Sequence, residues 1–440
     1  MSASAADGAA PAQRADSGQG SSAAAHPDGA AAESLDAASS ADAEAREAGD
    51  VIDERVDAGG LASDGGSSLA DGEAGAVEGS PDAAFVPDPD AGPLGFVATN
   101  VPPSFDPTPT GDWTWDSTTC PTYLAYEPAA FADDMSGGLE CQFPAGSFQV
   151  TYTSQQNRGD VALFTTQEMT VTEGTSVEIS GLYPMIIVAL GDVTIAGTLS
   201  VAGDYISGWA GGFGSATNPG DGNGPGAGQL LANDGGTTEG AGGGGYCGLG
   251  GDGSGAPGSG GATYGNANID PLVGGSSGGL APTGGDLGGS GGGGGALQIV
   301  SATSITVTGT GVLNAGGGGA VDYSGGGGAG GAILLEAPVI TIAGRVVANG
   351  GGGSDPGVFA TGGCNASTDT SLTCGGGGTG GAGGAGTTPN GYPGTGGGGG
   401  GGGVGRIRFN TAAGAATFAP GAIVSPSLAT TCASQGTLGR

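Results

Sequence analysis

From Val161 onward a short pattern of apolar and polar positions recurs: apolar, any residue, apolar, any residue, Gly. Copies stand at Val177, Ile179, Gly181; Val193, Ile195, Gly197; Ile305, Val307, Gly309; and Ile340, Ile342, Gly344. Alternation with period two is that of a strand with one buried face, and the glycine supplies a corner that other residues resist. Stacking each copy on the next buries a continuous apolar column. The pattern predicts an all-β chain, a parallel β-solenoid of the right-handed β-helix kind. The outward positions Glu178, Thr194, Thr306 and Thr341 should then form part of a polar ladder on one face.

A second recurrence joins a glycine tract to the strand that follows it. Gly291 to Gly295 runs into ALQI, Gly325 to Gly331 into AILL, and Gly396 to Gly403 into VGRIRF. Each tract reads as the returning arm of an insertion that leaves the solenoid and comes back to start the next coil. The insertions span about 203–295, 315–331 and 349–403. Loops of this length need structure of their own. Two states are open to them: polyproline-II arms packed side by side, which glycine allows by close backbone approach, or flexible coil. Sparse aromatics, Trp209, Phe213, Tyr246, Tyr264, Phe359 and Tyr392, either pin the arms or serve as binding contacts, because functional groups concentrate on loops held by a scaffold.

Upstream the texture differs. Residues 1–110 are rich in Ala, Asp, Gly, Ser, Glu and Pro, and hold 20 acidic residues against Arg14, Arg46 and Arg55. Such a stretch buries too little apolar surface to offset its ordering entropy and reads as a disordered, self-repelling tether. Residues 111–160 crowd Trp113, Trp115, Tyr123, Tyr126 and Tyr152 around Cys120 and Cys141. This predicts a disulfide-stapled module capping the first solenoid edge, with a sugar-stacking platform as the alternative. Cys364 and Cys374 bracket a short loop and are expected to pair, as are Cys120 with Cys141; Cys247 and Cys432 remain, and their pairing would tie the first insertion to the C-terminal end.

Charge narrows the partners. The chain has a net charge of −34, from 42 acidic residues against 8 arginines and no lysine. Such a surface repels nucleic acid and disfavours an anionic membrane face. No apolar run reaches the roughly 20 residues of a membrane-spanning helix. Six cysteines and the absence of lysine suit an exported protein, extracellular or on the outer-membrane surface. MSASAADGAA carries no charged and apolar leader, so an export signal is expected upstream of Met1 or already removed.

The candidate chemistry is sparse. His26, the only histidine, falls in the tether, so no histidine-based triad or metal site is expected in the folded part. Carboxylates are the remaining catalytic candidates: Glu178, Asp192 and Glu336, with Arg345, Arg406 and Arg408 as substrate clamps. A polysaccharide-cleaving pair would stand about 5–9 Å apart. No cofactor is expected; calcium is the one that acidic glycine-rich turns admit, but Asp221, Asp252, Asp286 and Asp322 are scattered and read as solvated loop residues. Thr306 and Thr308 fit an ice-binding Thr-x-Thr face, which Ala196 and Ala343 interrupt, so the β-preference of Thr is the simpler account.

The units GGGGAGGAILLEAPVITIAG and GGGGGGGGVGRIRFN resemble those of glycine-rich secreted or surface-anchored proteins of myxobacteria and related Gram-negative bacteria, in which solenoid rungs alternate with polyglycine insertions. The resemblance implies a surface location and no particular activity. Together these readings point to a non-enzymatic structural or adhesive protein whose arms meet a cell-surface glycan or protein, with a β-helix polysaccharide-degrading enzyme as the alternative and an ice- or calcium-binding solenoid as a further one.

Overall fold

A computed structural model describes residues 85–102, 105, 111–115, 123–126, 149–154, 160–205, 210–216, 219–230, 240–255, 258–281, 289–356 and 362–439. After a short 3-10 helix, Pro89–Leu94, the regular elements among these residues are all strands. In chain order they are β1 (Trp113–Trp115), β2 (Tyr123–Tyr126), β3 (Gln149–Ser154), β4 (Asp160–Thr166), β5 (Met169–Val171), β6 (Ser176–Gly181), β7 (Met185–Ala189), β8 (Val193–Ile195) and β9 (Thr198–Ser200). There follow β10 (Ala296–Ser301), β11 (Ser304–Val307), β12 (Val312–Asn314), β13 (Ala332–Glu336), β14 (Val339–Ile342), β15 (Arg345–Val347), β16 (Arg406–Thr411), β17 (Thr417–Phe418), β18 (Ile423–Ser425) and β19 (Ala433–Thr437). No helix among the described residues is long and apolar enough to cross a membrane.

The strands make three sheets. Sheet one has the order β3-β4-β7-β10-β13-β16-β19, sheet two β1-β5-β8-β11-β14-β17, and sheet three β2-β6-β9-β12-β15-β18. Every pairing is parallel except that of β3 with β4. From β4 onward the chain visits sheets one, two and three in the same rotation, up to β19 in sheet one. Short corners containing glycine, at Gly174, Gly197, Gly311, Gly344 and Gly421, separate sheet two from sheet three. At Gly197 an added Cβ would fall on the carbonyls of Thr172 and Thr175, which explains why the corner excludes a side chain.

Side chains from all three sheets enter one apolar cluster. Ile187, Ile299, Leu335 and Phe409 form one column in register. Val193, Ile305 and Ile340 form another, and Leu199, Leu313 and Val346 a third. Trp113 and Trp115 are fully buried in the same cluster, and β1, β2 and β3 join the three sheets. The segment expected to cap the first edge supplies an edge strand to each of the three sheets; Cys120 and Cys141 lie outside the described residues.

Sheet one is buried on both faces. Its outward side chains Ile186, Val188, Val300 and Leu334 pack with Leu94, Phe96, Ala98, Ile269 and Leu272 in a second cluster. Residues 85–102 therefore lie across this sheet, although their composition assigned them to the tether. Val97 bridges to Gly439, with Val97 N–H donating to the Gly439 carbonyl at 3.2 Å. Leu94, Phe96 and Ala98 are buried there, and Phe85, Val101 and Phe105 pack beside them against the apolar sheet. Tether positions 1–84 lie outside the described residues.

The described parts of the insertions are ordered arms. Their backbone N–H groups donate in a rotation of three: Gly240 to Ser254, Ala241 to Ser324, Gly242 to Gln229, then Gly243 to Gly251, Gly244 to Gly327 and Gly245 to Gly226. The arm entering β16 repeats this. Gly399, Gly402 and Gly405 donate to Ser354, Gly351 and Ala348; Gly400 and Gly403 to Ala241 and Gly244; Gly401 and Val404 to Tyr392 and Pro389. A repeat of three is that of the polyproline-II chain, which makes no internal hydrogen bonds and must satisfy its backbone through neighbours. Flexible coil does not describe these arms. Close approach enforces the composition: a Cβ at Gly400 would fall on the carbonyl of Gly251, and one at Gly328 on that of Gly292.

Candidate functional site

The three candidate carboxylates stand on three different sheets. Glu178 lies exposed on β6 of sheet three. Asp192 precedes β8 at the margin of sheet two, where the hydroxyls of Thr303 and Ser304 donate to its Oδ1 at 2.6 and 2.7 Å. Those two bonds hold its carboxyl below the usual range. Glu336 closes β13 in sheet one. No two of them form the facing pair that glycoside hydrolysis requires.

Glu336 is instead the centre of a sealed polar network. It is 0% exposed. Its Oε2 accepts from Thr99 N–H at 2.9 Å and from Gln298 Nε2 at 2.7 Å; its Oε1 accepts from Thr99 Oγ1 at 2.8 Å and from Asn410 Nδ2 at 2.9 Å. Gln298 Nε2 also donates to the Thr99 carbonyl, and Asn100 Nδ2 donates to Gln298 Oε1 at 3.1 Å and to the Ile269 carbonyl at 2.9 Å. Strands β10, β13 and β16 each contribute one polar side chain, and residues 99–100 close the top. Burial pushes the Glu336 carboxyl up, against the pull of its four donors. With both oxygens engaged and no solvent access, Glu336 joins elements together and is not presented to a polysaccharide.

The arginines also serve the fold. Arg406 lies 5.5 Å from the centre of the Tyr246 ring and donates from Nη2 to the Tyr264 carbonyl at 2.7 Å. Tyr246 and Tyr264 stack at 4.6 Å between centroids, and the Tyr264 hydroxyl donates to the Gly274 carbonyl at 2.5 Å. Burial raises both phenols and lowers Arg406. Arg408 Nη1 donates to Ser434 Oγ at 3.2 Å and to the Ala267 carbonyl at 3.3 Å. Arg345 is exposed on sheet three, and its Nη1 reaches the Thr368 carbonyl at 3.4 Å.

Of the aromatics offered for binding, Tyr246 is only 1% exposed, which corrects its placement as a ligand contact: it anchors an arm beneath Arg406. Tyr264 and Phe213 are half-buried, the Phe213 ring lying where a Cβ at Gly224 would come within 2.6 Å. Tyr392 alone among the described members is open to solvent, at 43%. Trp209 and Phe359 lie outside the described residues. Cys247 is bonded to Cys432, and Cys364 to Cys374.

The acidic turns act as local caps. Asp221 Oδ1 accepts from Leu230 N–H and Asp252 Oδ1 from Gly260 N–H, each at 2.8 Å. Among the described residues no group of three or more His, Cys, Asp or Glu side chains is arranged to hold a metal ion.

What the sequence alone missed is the continuity of one outward column on sheet two. Thr114, Thr170, Thr194, Thr306, Thr341 and Thr417 stand opposite one another on all six strands. Thr170 and Thr417 lie outside the apolar-x-apolar-x-Gly copies read in the sequence, and Thr114 precedes them, so register alone brings them into line. No protein-family model, curated protein or solved structure matches this chain.

Proposed function

We propose that this chain is a non-enzymatic, exported structural or adhesive protein of the cell surface. Its scaffold is a right-handed parallel β-solenoid, the hand that parallel crossovers favour, and its insertions are polyproline-II arms welded to that scaffold. The observation that carries this reading is the hydrogen-bonded packing of the arms. The arm 325–331, which runs into β13, donates in turn to 276–279, 400–403 and 315–318, and accepts from 241–244, 291–294 and 351–354. It is enclosed on all sides, as a load-bearing plate requires and a substrate-gripping loop does not. Contacts with a cell-surface glycan or protein then fall to arm turns and outer faces, where Tyr392 is exposed.

Binding of the full chain to bacterial cells and to a glycan array, run beside a turnover screen on acidic and neutral polysaccharides, tests this. Saturable binding without turnover is expected. Turnover that disappears in Asp192→Asn or Glu178→Gln would replace the reading with the carbohydrate-active one.

A further inference from the structure

We propose that the outward face of sheet two binds ice, through the column Thr114, Thr170, Thr194, Thr306, Thr341 and Thr417. The inference stands on this column and holds whether or not the arms bind a cell-surface partner. Sheet geometry sets the interval: consecutive parallel strands lie about 4.7–4.9 Å apart, so the column offers one hydroxyl and one methyl at each step. That interval is close to oxygen repeats on the surface of hexagonal ice. Each Thr is β-branched and has few χ1 options on a strand, so the array is set before it meets its partner.

A general preference of strands for threonine does not explain the column, because sheet three is an internal control. Its outward columns read Ser176, Thr198, Val312, Arg345, Ile423 and Glu178, Ser200, Asn314, Val347, Ser425. The first of these columns is half-buried or exposed throughout, as the threonine column is, yet it is mixed in size, polarity and charge; the second is covered at Val347 and Ser425. Sheet one offers no such face, since residues 85–102 and the arms cover it. Only on sheet two is one side chain repeated on every strand, and its members are half-buried or exposed.

The surroundings of the column choose the partner. Along β11, β14 and β17 the flanking outward positions are Ser304 and Thr308, Val339 and Ala343, and Ala415 and Ala419, with Val339 55% exposed. This half of the face carries no charge in a chain of net charge −34. Among the described residues, carboxylates line the other half of one margin at Asp112, Glu168 and Asp192, and Asp192 accepts from Ser304 Oγ at 2.7 Å. An anionic polymer finds no complement here. Neutral crystalline glycans are gripped by aromatic rings, and the face has none. Ordered water needs neither, and it matches small alternating hydroxyl and methyl groups at a fixed repeat.

The test uses the full chain in an ice-recrystallisation assay, with the thermal hysteresis gap as a second readout. Thr306→Lys places a long charge at the centre of the column on a side chain that already faces outward. Thr198→Lys makes the same chemical change on sheet three, and circular dichroism checks that both variants keep their strands. The native chain should arrest recrystallisation, Thr306→Lys should need about tenfold more protein or worse for the same effect, and Thr198→Lys should behave as the native chain. A native chain without effect on ice, or equal activity in all three proteins, overturns the proposal. So does retention on crystalline chitin or cellulose that Thr306→Lys abolishes while ice is unaffected, which would assign the face to a solid glycan.

Discussion

At Glu336 the chain places an ionisable group where two covering layers meet. Four donors engage its oxygens, and burial still raises its pKa above the ordinary 4.5. A carboxyl raised on folding contributes stability that is complete below the unfolded value and is lost as pH climbs through the folded value. Glu336→Gln cannot ionise, and its amide turns an NH2 toward two of the four donors, at a cost of about 1–3 kcal/mol. Urea unfolding midpoints from pH 4 to pH 8 should therefore show the native chain ahead at the acid end, with its lead over Glu336→Gln shrinking as pH rises. A lead that grows with pH would contradict this. In the sequence Glu336 looked like a catalytic candidate because AILLE gives no hint that its last side chain faces a covered surface. The partners that cover it, Thr99 and Asn100, are some 237 residues away along the chain.

Among elements, rungs and arms were legible to different degrees. Alternation located the strands of sheet two, because one face is buried and the other wet. The runs MIIVA and AILLE are apolar at nearly every position, the mark of a parallel strand covered on both faces. That mark says a cover exists and does not name it; the cover proved to be a segment with the composition of a tether. For the arms, composition left flexible coil and packed polyproline-II chains both open, and the described arms are hydrogen-bonded to their neighbours along their length. Gly400→Ala and Gly328→Ala each drive a methyl group into a backbone carbonyl that cannot retreat. Either should lower stability by about 1–3 kcal/mol through overpacking. Gly309→Ala is the matched control, since a Cβ there meets nothing within 4 Å. Thermal unfolding followed by circular dichroism should separate the first two variants from the third.

At the scale of the molecule, the two disulfides differ in what they tie. Cys364–Cys374 closes a separation of 10 residues, and Cys247–Cys432 one of 185. Chain-entropy estimates give about 3 kcal/mol for the short loop and about 5 kcal/mol for the long one. Cys247→Ser with Cys432→Ser should therefore lower the unfolding midpoint more than Cys364→Ser with Cys374→Ser does. Limited proteolysis should show the first pair loosening the 240–264 arms. Equal midpoints for both double variants would mean that arm packing, and not the crosslink, holds the first insertion to β19.

The sequence by itself determined the strands and their shared direction, because these follow from a local rule: period two for a strand with one buried face, and glycine at the corner that ends it. Tertiary structure alone decided which surfaces are left open. Whether Glu336 is sealed, whether Tyr246 is an anchor, and whether threonines scattered from Thr114 to Thr417 make one column all depend on which strand lies beside which. That order is set by register between segments separated by arms of unequal length, and no periodicity along the chain records it.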